Sequence, residues 1–253
     1  MLKNKISVAA SAVVFSVALN YGAQAAQKIY SPYVEKGEVE VEYFTSRTDD
    51  NDSAKNNLQK HQFALGYGVN DWWHTEFYGK FKNSYGTSNK FDAWEWENIF
   101  QFTERGEYLL DVGASLAYEY TPQNGHSDKL EWGLLLAKDI AKTSHVLNLN
   151  FEKEVGADAQ ASLESAILWS SRYNLNPYFE PGFEISSNFG ELKHAGNFDD
   201  QQHYIGPTAY GKIPLHWAND NDALKYRVGY LFGASKAASN GDAVLQLEYE
   251  FRF

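Results

Sequence analysis

The chain has 253 residues, a formal net charge of −11 and no cysteine. Its acidity disfavours nonspecific nucleic-acid binding, because phosphate groups attract Lys and Arg, and the lack of Cys excludes disulfide scaffolds and thiolate sites. A charged fraction of 22% excludes a bundle of membrane helices, which needs apolar runs of about 20 residues. An aromatic fraction of 16% excludes a disordered chain. Many aromatics and 19 Gly in a chain with a mean hydropathy of −0.50 favour β structure.

The first 25 residues have the pattern of a secretory signal peptide. Two lysines form a positive start, residues 6–19 form an apolar core, and Ala-Gln-Ala at 23–25 places small residues before a cleavage site. We therefore expect cleavage after this tripeptide, export from the cytoplasm, and one mature domain over 26–253. The alternative is an N-terminal membrane anchor, but the apolar stretch is short for a membrane span.

The rest of the chain alternates apolar and polar residues with period two, which predicts strands with one apolar and one polar face. About twelve strands are predicted, since a tilted strand needs roughly 9–11 residues to cross a bilayer and single-chain barrels use an even number. In chain order they cover 38–43, 62–67, 73–81, 94–102, 108–120, 131–139, 147–152, 163–172, 178–185, 202–213, 224–233 and 244–253.

The predicted connections differ in length from one end of these strands to the other. Tight turns are expected at 70–71, 103–107, 141–144 and 174–176, and longer loops at 49–57, 83–90, 121–129 and 188–200. Short turns at one end and longer loops at the other are typical of outer-membrane barrels, in which the short turns face the periplasm. An even strand number places both chain termini at that end.

These patterns predict an all-β fold, a single-chain antiparallel transmembrane β-barrel of about 12 strands. The apolar faces would contact lipid and the charged faces would line the lumen. Trp and Tyr residues near strand ends would form aromatic girdles at the membrane surfaces. The alternative, a soluble β-sandwich, leaves the signal peptide, the long strands and the connection lengths unexplained. The register of strand ten is left open, because its alternation is ambiguous.

The last predicted strand, 244–253, carries a resemblance to a known family. It ends in Phe253 and has Tyr249 and Phe251 at alternate positions before it. The chain resembles bacterial outer-membrane β-barrel proteins, in which such a strand is similar to the signal read by the barrel-assembly machinery. The resemblance implies a Gram-negative outer membrane, contact with its lipids, and that machinery as a partner during biogenesis. Residues 29–38 are similar to the start of uncharacterised proteobacterial barrels, which implies no activity.

Residue parity places more acids than bases inside the barrel. An acid-rich wall in a low-dielectric tube concentrates cations, so we expect a narrow channel for small solutes or ions, without cofactor. The predicted inward bases are Lys80, Arg172, Lys212, Lys225, Arg227 and Arg252. The predicted inward acids are Glu38, Glu40, Glu42, Glu76, Glu95, Glu97, Asp111, Glu119, Glu131, Asp139, Glu152, Glu164, Glu180, Glu184, Glu248 and Glu250.

Four of these positions predict a cation site. The hairpin register places Glu76 opposite Glu97, and Glu95 and His74 lie next to them. Carboxylates directly opposite each other are destabilising unless a cation lies between them, and imidazole with carboxylates can hold a divalent metal. The alternative is a solvated wall bridged by Lys80. The sequence does not specify which metal.

A second charge cluster is expected where the last strand meets the first. Register suggests Arg252 with Glu38 and Glu250 with Glu40, and the preceding hairpin suggests Arg227 beside Glu250. These residues form either a structural charge ladder or a constriction ring that filters ions.

Two other functional classes remain open. An occluded barrel with a structural or docking role would use the acidic loop 49–52 or the long loop 188–200. A lipid-modifying enzyme would need a Ser–His pair, and the candidate is His126-Ser127-Asp128. Adjacent residues of an extended segment point to opposite sides, which disfavours proton transfer between that His and Ser. We therefore predict no catalytic residues.

Overall fold

A computed structural model describes residues 27–83, 86–159, 163–217 and 221–252. Twelve antiparallel strands form a closed barrel in which each strand pairs with the next and β1 pairs with β12. The predicted signal peptide and Phe253 lie outside the described residues. The strands are β1 (Glu38–Asp49), β2 (Gln59–Asn70), β3 (Trp73–Lys82), β4 (Lys90–Gln101), β5 (Asp111–Tyr120), β6 (Asp128–Ile140), β7 (Thr143–Val155), β8 (Leu163–Tyr173), β9 (Glu180–Glu191), β10 (Gln202–Pro214), β11 (Ala223–Gly233) and β12 (Gly241–Arg252).

Helical structure is minor in the described parts of the chain. It consists of one 3₁₀ turn at Phe198–Asp200, before β10. No helix in these parts is long and apolar enough to cross a membrane.

The predicted alternation of faces is confirmed. Phe77 on β3 and Trp96 on β4 are 52% and 54% exposed, whereas their neighbours Glu76 and Glu97 are each 3% exposed. Successive side chains of a strand point to opposite faces, so the apolar set lies outside and the acidic set inside. This arrangement is the reverse of a soluble sandwich, which would bury the apolar face.

Closure at the seam follows the predicted register. Glu38 pairs with Arg252, and Glu40 pairs with Glu250. With this pairing every strand has two hydrogen-bonded neighbours. A closed sheet leaves no edge with unpaired backbone groups, which is what a strand-built membrane span requires.

The two ends of the barrel differ less than predicted. We call the end where β1 begins and β12 ends the terminal end, and the other the distal end. Two-residue turns at 71–72 and 141–142 lie at the terminal end, as expected. The connections 102–110 and 215–222 also lie there and are as long as the distal loops. The expected asymmetry therefore holds for only part of this end.

The predicted tight turn at 103–107 is wrong for a local reason. β5 begins at Asp111 rather than at 108. One carboxylate oxygen of Asp111 accepts a hydrogen bond from the amide of Gly106 at 2.8 Å, and Gly106 has a φ of 76°, a value that glycine adopts without strain. This bond stabilises a wider loop in place of a hairpin.

The register of β10, which the sequence left ambiguous, is resolved. Ile205 is 46% exposed, whereas Tyr204 is 1% and Thr208 6% exposed. The even-numbered residues of this part of β10 therefore face the lumen.

The barrel interior is mainly polar. Its buried apolar residues form only small groups in the described chain, such as Phe44 with Val244, and Tyr204 with Leu231 and Ala238. Most buried interior positions carry carboxylates, amides or hydroxyls. Buried polar groups must be hydrogen-bonded or paired to be tolerated, so the interior contacts decide what the barrel can do.

Replacing Leu65 with Arg should destabilise the barrel by about 2–4 kcal/mol, because a cation near the middle of the lipid-facing surface is poorly solvated. Leu65 lies near the centre of β2 and is 61% exposed. Denaturant unfolding in lipid vesicles measures the change. Leu109→Arg, in a connection outside the strands, is the control and should cost less than about 1 kcal/mol. Equal losses for both variants would contradict this placement.

Candidate functional site

Residues 27–34 lie inside the lumen, and the largely exposed residues 35–37 connect them to β1. We call residues 27–37 the plug segment. The backbone oxygen of Gln27 accepts a hydrogen bond from Arg227 on β11 at 3.1 Å. Near the other end of the segment, the Val34 amide donates to Gln101 on β4 at 2.7 Å. The segment therefore contacts separate parts of the wall and narrows the lumen. The periodicity of the sequence gave no sign of this placement, because the segment is not a strand.

Lys28 is the main charged anchor of the plug segment. Its ammonium donates to Glu76 at 2.8 Å and to the Tyr78 hydroxyl at 2.7 Å, and lies 3.0 Å from Glu42. Burial alone would lower the pKa of this ammonium, but the Glu42 and Glu76 carboxylates raise it well above its usual value. Lys28 therefore remains charged and compensates the acids that surround it.

Tyr30 fixes the middle of the plug segment to the opposite wall. Its amide donates to the side-chain oxygen of Asn148 on β7 at 2.7 Å, and its carbonyl accepts from the Asn148 amide group at 2.8 Å. Asn148 is fully buried, and this pair of bonds satisfies its donor and acceptor groups.

Tyr33 anchors the segment nearer the terminal end. Its hydroxyl donates to Asp111 at 2.7 Å, and the Arg105 guanidinium lies 4.8 Å from the centre of its ring. Burial, followed by the hydrogen bond to Asp111, raises the pKa of the Tyr33 hydroxyl. The hydroxyl therefore keeps its proton and stays a donor.

The plug segment leaves the lumen along β2. The Gly37 amide donates to the Gly68 carbonyl at 2.7 Å. A Cβ at Gly68 would collide with the carbonyl oxygen of Glu35. Glycine is therefore required at this point of the wall because the plug backbone passes directly over it.

Several predicted lumen contacts are confirmed by the register. Glu76 pairs with Glu97, and Glu95 pairs with Tyr78. At the seam, Arg252 lies 3.6 Å from Glu38.

The predicted chain from Arg227 through Glu250 to Glu40 is not formed. Arg227 lies opposite Gln246 in the β11–β12 pair, so its side chain is displaced from Glu250. It instead donates to Glu184 on β9, through Nε at 2.6 Å and through Nη2. Both partners are buried. Glu250 forms ion pairs with Lys212 and Lys225.

The predicted set of His74, Glu76, Glu95 and Glu97 does not converge either. Glu95 binds Lys80, which also donates to Glu119 at 2.8 Å. The four side chains do not meet because Glu95 and Glu97, successive inward residues of β4, lie at different heights in the lumen. They therefore have different neighbours. His74 and Glu76 have a different third neighbour, Glu40 of β1.

Three interior bases were missed by the sequence reasoning. Lys129 on β6 lies 2.8 Å from Glu152 and 3.8 Å from Glu119, and Lys60 has the same parity as the buried Ala64 on β2. Extending the predicted strands by two or three residues would have found both. Lys28 had no comparable signal. Acids still outnumber bases among the inward positions.

The enzyme candidate at His126-Ser127-Asp128 has a structural role. The Asp128 carboxylate accepts from the Tyr118 hydroxyl at 2.6 Å and from the Thr121 amide at 2.9 Å. His126 is exposed in the loop that these bonds hold. The Asp therefore supports the loop and does not orient the His.

The C-terminal strand presents its predicted aromatics on one face. The rings of Tyr249 and Phe251 stack with 5.3 Å between centroids. Their recognition by an assembly machinery, together with Phe253, stays a prediction.

A cavity of about 520 Å³ lies between the plug segment and the wall. Its lining includes Tyr33 of the plug segment and Arg172, Tyr210 and Lys212 of the wall. Pockets for small ligands generally have volumes of this order. The lumen therefore retains space for water, ions or a small solute beside the plug segment.

A closed antiparallel barrel with apolar residues outside and polar residues inside is the fold of outer-membrane β-barrels. No family model matches the sequence, and no curated protein matches it. Solved structures with the same fold superimpose on this chain. The COG4313 outer membrane channel from Pseudomonas putida F1 superimposes with a TM-score of 0.58 and 15% identity, over 92% of this chain and 98% of that chain.

Two porins share the architecture. The NanC porin superimposes with a TM-score of 0.53 and 9% identity, over 85% of this chain and 100% of that one. The KdgM porin in complex with disordered oligogalacturonate gives a TM-score of 0.51 and 9% identity, over 85% and 99%. At such low identities the similarity shows a common fold, and these neighbours are porins and channels.

Replacing Asn148 with Ala should loosen the plug segment, because it removes both bonds that hold the Tyr30 backbone. Hydrogen exchange of the Tyr30 amide should accelerate roughly 5- to 150-fold, as expected for about 1–3 kcal/mol of lost stabilisation. Asn150→Ala, on the same strand and face, is the matched control. Unchanged exchange in the Asn148 variant would show that these bonds do not retain the segment.

Replacing Arg227 with Ala should destabilise the barrel by about 3–5 kcal/mol, because Glu184 would remain buried without its partner. Arg252→Ala provides the comparison, since this arginine is about half-exposed and exposed ion pairs contribute about 0–1 kcal/mol. Denaturant unfolding of the refolded barrels measures both. Similar losses of unfolding free energy in the two variants would show that burial of the Arg227–Glu184 pair does not increase its contribution to stability.

Proposed function

We propose that this protein is a narrow, cation-preferring channel for small solutes or ions in the outer membrane, and that the plug segment controls its conduction. Export by a signal peptide cleaved after residue 25, and delivery to the barrel-assembly machinery through the last strand, belong to the same proposal.

The way in which the plug segment is held supports this function. Its anchors are ion pairs and hydrogen bonds, such as Lys28 with Glu76 and Tyr30 with Asn148. If water enters the lumen it can replace polar contacts of this kind, because exchanging a protein hydrogen bond for one to water costs only about 0.5–1.5 kcal/mol. A segment bound in this way can rearrange while the barrel wall, held by continuous backbone hydrogen bonding, stays intact.

The charge of the wall supports the preference for cations. Lys28 is itself a cation among acids, and it lies between Glu42 and Glu76 near the middle of the lumen. When the segment moves away, these carboxylates would be free to attract a passing cation. The KdgM structure contains an oligogalacturonate, an acidic sugar chain. For the present chain the acid-rich wall favours cations and neutral solutes instead.

A barrel whose lumen is occluded and which serves to dock a partner is the second candidate function. The contacts of the plug segment with separate parts of the wall favour it. The long distal loop 192–201, stabilised by the turn at Phe198–Asp200, would then be the surface offered to a partner. The proposed channel and this alternative differ in conductance.

Conductance in a planar bilayer under a KCl gradient tests the proposal. The refolded wild type should give small cation-selective steps, and Lys28→Ala/Asn148→Ala should increase the conductance several-fold because two anchors are lost. Lys236→Ala is the control, since this lysine is exposed and pairs only with the loop residue Asp199 among the described contacts.

Two results would overturn the proposal. Folded barrels that give no steps in either wild type or the double variant would favour the docking role. Steps with an anion-selective reversal potential would contradict the cation preference. Heat-modifiable migration on gels confirms that each variant is folded.

A further inference from the structure

Three neighbouring strands bring Glu40, His74 and Glu76 together on the lumen wall. His74 Nε2 lies 3.5 Å from a carboxylate oxygen of Glu40 and 3.3 Å from one of Glu76. The imidazole is 6% exposed, and its Nε2 has no hydrogen-bond partner among the described residues. A buried ring nitrogen without a hydrogen bond is costly, and here it points at two carboxylates.

Gly66 leaves room at the centre of this group. On β2 it pairs with Glu40 on one side and Glu76 on the other. A Cβ at Gly66 would lie 2.8 Å from His74 Nε2. Any larger residue would therefore fill the space in front of the imidazole nitrogen.

The spacing of the three ligand atoms fits a transition-metal ion. They lie within 4.8 Å of one another. Zinc binds His nitrogen and carboxylate oxygen at about 2.0–2.2 Å in tetrahedral geometry, so two ligands of one ion are about 3.3–3.5 Å apart. The separations of His74 Nε2 from Glu40 and Glu76, 3.5 and 3.3 Å, match this value.

We propose that Glu40, His74 and Glu76 form a binding site for a divalent transition-metal ion such as Zn²⁺, with water in the fourth position. One imidazole and two carboxylates suit such ions better than Mg²⁺ or Ca²⁺, which prefer oxygen ligands alone. This site includes two residues of the cation site expected from the sequence and replaces Glu95 and Glu97 by Glu40.

The site can coexist with the plug segment. Glu76 Oε1 faces His74, and the Lys28 ammonium lies 2.8 Å from Glu76 Oε2 and 3.1 Å from Oε1. A bound metal and the Lys28 ammonium would therefore share this carboxylate. The metal site does not depend on conduction, so a barrel with an occluded, non-conducting lumen could still bind zinc.

Calorimetric titration of the refolded full-length barrel with Zn²⁺ tests the proposal. Wild type should bind one ion per chain, and His74→Gln and Gly66→Ala should each weaken binding at least about tenfold, the first by removing a ligand and the second by filling the space. Glu119→Gln is the matched control and should bind as wild type does. It alters the group formed by Glu95, Glu119 and Glu131, which contains no His.

Absence of binding to wild type would overturn the proposal, and so would equal binding by wild type and the folded His74→Gln variant. The second result would mean that zinc associates with the acidic lumen generally. Substitution with Co²⁺ adds a spectroscopic measurement. Visible absorption bands typical of tetrahedral coordination should appear in wild type and disappear in His74→Gln, and octahedral-type bands in wild type would contradict the proposed geometry.

Discussion

Complete pairing of backbone hydrogen-bonding groups is the constraint on which this structure depends. No water is available inside a bilayer to satisfy free amides and carbonyls, so a sheet that crosses it must close on itself. Pairing of β1 with β12 achieves this closure. Closure then fixes which face of every strand meets lipid and which meets the lumen. The acids therefore point inward because closure of the sheet turns their face of each strand toward the lumen. Interactions among the acids themselves do not favour this position.

Charge compensation is the second consequence of closure. Acids on all sides of a narrow lumen repel one another, and burial of an unpaired charge is expensive. The wall supplies some of the cations, such as Arg227 for Glu184 and Lys80 for Glu95 and Glu119. The plug segment supplies Lys28. It is thus part of the electrostatic balance of the barrel as well as an obstacle in its lumen.

Glycines show how closely the plug and the wall fit together. Gly68 allows the plug backbone to pass over β2, and Gly66, two residues earlier on the same face, leaves the space in front of His74. The first glycine is required by a backbone already in place, whereas the second borders a space lined by imidazole and carboxylate atoms. The two glycines cannot be distinguished by the residues around them in the sequence. Their roles differ because different parts of the neighbouring strands and of the plug segment lie against them.

The sequence by itself determined the barrel, its strand number, the inward set of acids and the pairing of Glu38 with Arg252. The first three follow from period-two alternation, which is local, and the seam pairing follows because an even number of strands places the last strand antiparallel to the first. Only the tertiary structure decided that Arg227 meets Glu184 rather than Glu250, that Glu40 joins His74, and that residues 27–34 occupy the lumen. Such contacts join strands that are not neighbours in the sheet, or involve a segment without periodicity, and they depend on the curvature and stagger of the closed barrel. The alternation of apolar and polar residues carries no information about the curvature or the stagger of the barrel.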